Sequence, residues 1–179
     1  MRKTVAVFLS LIFVITAVAG CGSKKVDFTA EDPVTAEQLN TEGKYVARGY
    51  FESIFLYNRD MFEKCFPDGY VEELGKATGV DVFEQFKNAT QMKGTFMGAA
   101  NADYKDYTVE NGYDAGTMRS NICRVVGCEY SDIGSIQIQK VQAMFMNEKA
   151  NDVVNFYFVV YEMDGKWFMF ETYTEVAGF

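Results

Sequence analysis

The 179-residue chain predicts an α+β fold: a long amino-terminal helix and shorter helices packed on a bent antiparallel sheet of about four strands. Three observations predict it. Residues 35–66 repeat apolar side chains at helical spacing. Residues 135–146 alternate with period two, and 151–176 form two β-rich runs. Asp164-Gly165 joins those runs, which is the strongest short-range hairpin signal a sequence offers. With 49% hydrophobic and 16% aromatic residues, the chain has the material for a packed core despite its acidity, which excludes a disordered chain.

The amino terminus reads as an export signal. Arg2 and Lys3 precede the apolar run "VAVFLSLIFVITAVA", which ends on the small residues Ala19 and Gly20. The run stops too soon and too abruptly for a retained spanning helix, which needs roughly 20 apolar residues. Val18-Ala19-Gly20-Cys21 resembles the lipobox of bacterial lipoproteins. That resemblance implies cleavage before Cys21, diacylation of its sulfur and residence on the extracytoplasmic face of the cell membrane. An ordinary secreted chain with a cysteine at its cleavage site is the alternative. Two acyl chains, at about 0.8 kcal/mol per buried methylene, hold a protein stably where one does not. Residues 21–34, lacking apolar periodicity, then read as a tether with a reach of about 20 Å. Residues 35–179 read as a single domain, a length at which one core suffices.

The helices follow in order. Thr35 and Gln38 stand in capping-box spacing, and Pro67-Asp68-Gly69 stops the helix they open. Val46, Tyr50, Ile54, Tyr57, Met61 and Cys65 form one stripe, and Ala47, Phe51, Phe55, Phe62 and Phe66 a second. Arg48, Glu52, Arg59 and Glu63 line the opposite side, expected in solvent. Gly43 and Gly49 weaken its first half. Two shorter helices are expected over 70–77, closed by Gly79, and over 82–92, opened by Asp81 with Glu84 and ended by Gly94. A weak strand is expected over 104–110, and a further helix over 115–126, ended by Gly127.

The carboxyl-terminal third reads as strands. A two-residue turn at Asp164-Gly165 sets Met163 opposite Lys166 and, in sequence, Glu162–Trp167, Tyr161–Phe168, Val160–Met169, Val159–Phe170 and Phe158–Glu171. One face then carries Phe156, Phe158, Val160, Trp167, Met169, Glu171 and Tyr173. The other carries Tyr157, Val159, Tyr161, Phe168 and Phe170, too apolar for water and in need of a cover. Helices followed by a terminal sheet closing on Gly165-Lys166-Trp167 resemble the nuclear transport factor 2-like (cystatin-like) cone fold over about residues 35–176. The resemblance implies helices packed across a bent sheet, with the tryptophan pointing at them.

Charge and residue types narrow the function. With Arg2 and Lys3 removed, 15 basic residues face 25 acidic ones, a net charge of −10, so nucleic acid is not an expected partner. The chain has no histidine, which excludes Ser–His and Cys–His nucleophiles and histidine metal sites. No metal and no cofactor is expected. Cys123 and Cys128 flank Gly127 in "CRVVGC" and are candidates for a disulfide, with free thiols as the alternative. Three classes of function remain. A non-catalytic binding module would hold a small apolar or amphipathic ligand, or dock an envelope protein. Its candidate pocket is walled by Tyr50, Tyr57, Phe158, Trp167, Tyr173 and the desolvated carboxyl of Glu171. An assembly protein would pair, as a homodimer or with another domain, through Tyr157, Val159, Phe168 and Phe170. An enzyme would follow ketosteroid isomerases of the resembled fold, with a carboxylate base in the cone.

Overall fold

The structure, a computed structural model, describes residues 28–89, 94–147 and 151–173. Cys21, the expected export signal and the first part of the expected tether lie outside the described residues, as do the end of the expected 82–92 helix and residues 174–176. The fold is α+β, as expected, with five α-helices, one short 3-10 helix over Tyr130–Asp132 and one four-stranded antiparallel sheet among the described residues. The elements run α1 (Gly43–Phe55), α2 (Arg59–Lys64), α3 (Tyr70–Thr78), α4 (Val82–Ala89), β1 (Thr95–Asp106), α5 (Ala115–Val126), β2 (Ile133–Met146), β3 (Asn151–Met163) and β4 (Lys166–Thr172). The strands lie in sequence order, β1-β2-β3-β4.

The single long helix expected over 35–66 is broken in two places by polar side chains with better partners elsewhere. Thr35 N–H does bond Gln38 Oε1 at 3.1 Å, but the chain turns instead of continuing. Asn40 reaches across to the carbonyls of Trp167 at 2.8 Å and Lys64 at 3.0 Å, and the helix begins only at Gly43. There a methyl group at Gly43 would stand 2.8 Å from Gln137 Oε1 and 3.0 Å from Val160 Cγ2, so glycine lets the first turn of α1 lie on the sheet without displacing those side chains. The second break falls at Tyr57, in a left-handed conformation with φ 56°. Asn58 then caps α2 by accepting Met61 N–H at 3.1 Å, the usual cap chemistry.

Part of the expected tether belongs to the domain. Val34 is buried, and Glu31 N–H bonds Ala99 O at 3.0 Å on the free edge of β1. Residues 28–34 therefore form a strap from that edge to α1. Arg48 and Glu52, expected in solvent, are both 2% exposed beneath it. Arg48 pairs with Glu31 and donates to Asp32 O at 2.9 Å, while its Nε lies 3.3 Å from Glu52 Oε1. Glu52 Oε2 accepts Val34 N–H at 2.9 Å. The buried charges are thus paired and each makes a hydrogen bond, the condition for tolerating them inside, although Arg48 Nε itself meets Glu52 as an ion pair without a hydrogen bond.

The core has two parts, one on each face of the sheet. On the first face α1 lays Tyr50, Phe51 and Ile54 on Phe156, Phe158, Val160, Val141 and Met169, with Trp167 packed at the margin. The tryptophan-bearing face does lie toward the helices. On the second face α5 sets Met118 and Ile122 on Ile136, Ile138, Tyr157, Val159, Tyr161 and Phe168. Arg119 holds α5 down by donating to the carbonyls of Ile133 and, at 2.7 Å, Gly134. Asp114 caps α5 through Thr117 N–H at 3.0 Å, and Gly127, at φ 78°, ends it as expected.

Candidate binding cleft

The six residues expected to wall a cone pocket are not gathered together. Tyr50 and Phe158 are 4% and 3% exposed, with ring centroids 5.7 Å apart in edge-on contact. The two rings and their neighbours in the first-face core occupy that space. Tyr57 is 70% exposed, since the break after α1 turns it outward. Glu171 and Tyr173 lie on the opposite face of the sheet, for a reason of register. The β3–β4 ladder follows the expected pairs as far as Val160–Met169, and then a bulge puts Glu171 opposite Val159 and Thr172 opposite Phe158. One extra residue moves every later side chain to the other face. Tyr173 consequently meets Tyr113 edge-on at 6.3 Å, and Glu171 lies near Tyr107, whose hydroxyl is pushed above the ordinary value first by burial and then by Tyr173 and Glu171 beside it. Burial does push the Glu171 carboxyl up, but beneath the tyrosines of the second face.

The candidate interface is also corrected. Val159 is fully buried, Phe168 and Tyr157 are buried, and Phe170 packs against the same cluster. The expected cover exists, and it is the chain's own α5, so this patch is not available to a second copy. Cys123 and Cys128 are not bridged; both are free, half-buried thiols, and Cys123 Sγ donates to Glu129 O at 3.3 Å. Burial, together with a bond to Cys123, pushes the Cys128 thiol up to about 12. Such a group carries almost no thiolate near neutral pH and is a poor nucleophile. Among the described residues no cluster of His, Cys, Asp or Glu could hold a metal, and no helix is long and apolar enough to cross a membrane.

A cleft of about 460 Å³ opens instead between α2, α3 and the start of α4, touching none of the six expected pocket residues. Its walls come from local turn chemistry. Pro67 and Gly69, the latter left-handed at φ 78°, swing the chain out of α2 into α3. Gly79, left-handed at φ 72°, returns it toward Asp81. Gly75 permits the approach, because a methyl group there would sit 3.2 Å from Val80 O. Asp81 has two tasks: Oδ1 caps α4 by accepting Glu84 N–H at 3.1 Å, and Oδ2 takes Arg59 Nη2 at 2.6 Å. That contact with Arg59, and the backbone bonds behind it, hold the Asp81 carboxyl below the usual carboxylate range. The Arg59 guanidinium also lies 5.0 Å over the Phe83 ring and 3.9 Å from Glu63. Glu72 is held low by Lys76 beside it.

The volume falls in the range of small-molecule sites, yet the cleft is open and its rim is charged. Glu63, Glu72 and Asp81 outnumber Arg59, whose charge the first and last of them already engage. A polar or cationic group suits these walls, whereas an apolar ligand does not. The helical pattern puts Arg59 and Glu63 on a solvated face, which hides this site in the sequence. The signal available was Asp81, an N-cap with a spare carboxylate oxygen. Comparison with family models, characterised proteins and solved structures finds no match to this chain.

Proposed function

We propose that this chain is a lipid-anchored, extracytoplasmic binding module, with a domain of the nuclear transport factor 2-like kind, that engages a basic segment of an envelope protein at the α2–α3–α4 cleft. The observation that carries it is the cleft's charge: three carboxylates, Glu63, Glu72 and Asp81, against two cations, Arg59 shared by Glu63 and Asp81 and Lys76 paired with Glu72 at the rim. An anchor at Cys21 suits a module that acts at a membrane surface, and the absence of histidine suits a role without acid–base turnover. The filled first-face core argues against an apolar ligand in the cone. A carboxylate base would need a pocketed carboxyl with a raised hold on its proton, whereas Arg59 holds Asp81 low and Lys76 holds Glu72 low at the cleft, and Glu171 does not line it.

The test uses the Cys21→Ser chain, residues 21–179, with a pentalysine peptide followed by amide resonances. The expected result is a shift at Gly69, Gly75 and Val80 that is lost in a Glu63→Gln, Glu72→Gln variant and shrinks as salt rises. A pentaglutamate peptide should shift nothing. Shifts scattered evenly over the acidic surface, with none concentrated at the cleft, would reject it.

A further inference from the structure

The cover that α5 provides does not extend along the whole second face. It packs on Ile133, Ile136 and Ile138 of β2 and on Tyr157, Val159 and Tyr161 of β3. Beyond it the ladder continues through Met144, paired with Val153, and Met146, paired with Asn151. Neither Met144 nor Val153 joins the cluster under α5; both are half-buried. On the neighbouring strand a bulge between Phe96 and Gly98 puts Met97 and Gly98 together opposite Met144, on this same face. Met97 is 50% exposed and Met146 46%. Among the described residues, this end of the sheet carries a methionine-rich surface without a cover, Met97, Met144 and Met146 with Val153, bordered by the uncharged Thr95, Asn151 and the bonded Gln142–Asn155 pair.

The strap determines what lies next to it. Ala30 packs on Gly98, where a methyl group would stand 2.6 Å from its Cβ, and Glu31 is bonded to Ala99. The chain preceding the domain therefore arrives at the edge of β1 beside Met97, not at the α5 end. From Cys21 to Phe28 it is seven residues, at most about 25 Å when extended. We infer that the uncovered Met97–Met144–Met146 end of the second face rests on the lipid surface to which Cys21 tethers the chain. This rests on the lipid anchor proposed above.

Two alternatives are weaker on physical grounds. Two exposed methionines and two half-buried side chains fall far short of the roughly 20–30 residues a side that a stable dimer engages, and a net charge of −8, or −10 once Arg2 and Lys3 are removed, sets copies against each other. A short tether changes the requirement: it turns docking into an intramolecular event at an effective concentration of order millimolar, so a small contact suffices. Methionine is suited to it, being flexible enough to fit an irregular surface. Lys140 lies opposite Asp103 at the near margin, so a cation and an anion offset each other there.

The test is hydroxyl-radical footprinting of the lipid-modified chain in vesicles of phosphatidylethanolamine and phosphatidylcholine, against the Cys21→Ser chain in solution. Met97 and Met146 should oxidise several-fold more slowly in vesicles, while Tyr130, 54% exposed beyond α5, should not change. A Met97→Glu, Met146→Glu chain should keep its lipid and leave Met144 oxidising as fast as in solution. Unchanged oxidation of Met97 and Met146 in a chain that carries lipid overturns the docking alone. Protection that grows with concentration in the lipid-free chain overturns it in favour of a second copy. A Cys21 that takes up no fatty acid overturns the anchor and the docking with it.

Discussion

Arg48 and Glu52 are the residues whose environment departs most from their position in the helical pattern. At i,i+4 on α1 they have the spacing of an exposed pair worth a few tenths of a kcal/mol. Buried under the strap, they are instead a pair that is costly to break. Arg48→Ala leaves the Glu52 carboxylate inside without its counter-charge, and the expected loss is about 3–5 kcal/mol in a urea titration. A double variant, Arg48→Ala with Glu52→Gln, should recover a large part of that, because the amide oxygen still accepts Val34 N–H and no bare charge remains. If Arg48→Ala alone falls within 1 kcal/mol of the parent, on the order of an exposed pair, the pair is solvated and the strap open. The pH dependence has a definite sign. Burial raises the Glu52 carboxyl above its ordinary 4.5, against the opposing pull of Val34 N–H and Arg48. A group bound more tightly to its proton in the folded state contributes stability that is complete below the unfolded value and lost as pH climbs through the folded one. Relative to Glu52→Gln, the parent should therefore lose stability as pH rises past the carboxylate range.

At the scale of elements, α1 is shaped by what lies on it more than by its own propensity. Gly49 sits in its interior, where Ala would favour the helix by about 1 kcal/mol. Yet a methyl group there would come 2.3 Å from Leu39 Cδ1, and Leu39 is 1% exposed with little room to retreat. Overpacking of that kind costs about 1–3 kcal/mol. Gly49→Ala should thus lower the denaturation midpoint, and a raised midpoint would mean that the Leu39 turn is loosely held. The same contrast explains what was legible in the sequence. Elements defined by their own residues were readable: α3 between its two glycines, α5 ending at Gly127, and the hairpin, where Asp164 and Gly165 adopt the positive φ of 54° and 71° that the dipeptide predicts. Elements defined by distant partners were not. Asn40 leaves the helix for Trp167 and Lys64. The alternation of β1 is blurred by Gly98, by the small residues Ala99 and Ala100, and by bulges near Met97 and Ala102, so only its tail resembled a strand. The β4 bulge has no residue signature at all, yet it alone moves Glu171 and Tyr173 away from the face on which a pocket was expected. The cleft around Arg59 and Asp81 was hidden for a related reason, since it depends on residues 22 apart meeting in space.

For the molecule as a whole, both free edges of the sheet are engaged by chain from outside it. Asn40 and Cys65 supply carbonyls to Trp167 N–H at 2.9 Å and Met169 N–H at 2.7 Å along β4. Glu31 does the corresponding work on β1, through its own N–H to Ala99 O and through Oε1 to Asn101 N–H at 2.9 Å. Such covers are what keep an edge strand from pairing with another chain. The strap is therefore part of the fold, and the functional domain starts at or before residue 28 instead of at 35. Starting the chain at residue 35 removes Val34, worth about 1.5–3 kcal/mol by burial, strips Arg48 of Glu31 and the Asp32 carbonyl, and reopens β1. Total stabilities of domains are only about 5–15 kcal/mol, and each kcal/mol moves the thermal midpoint by about 2–4 °C at this length. A chain of residues 35–179 should melt at least about 10 °C below one of residues 28–179 and aggregate through the exposed edge of β1, which calorimetry and light scattering on the two chains would measure. Equal midpoints and equal solubility would mean that residues 28–34 lie on the domain without holding it, and Arg48 and Glu52 would then have to be stable without them.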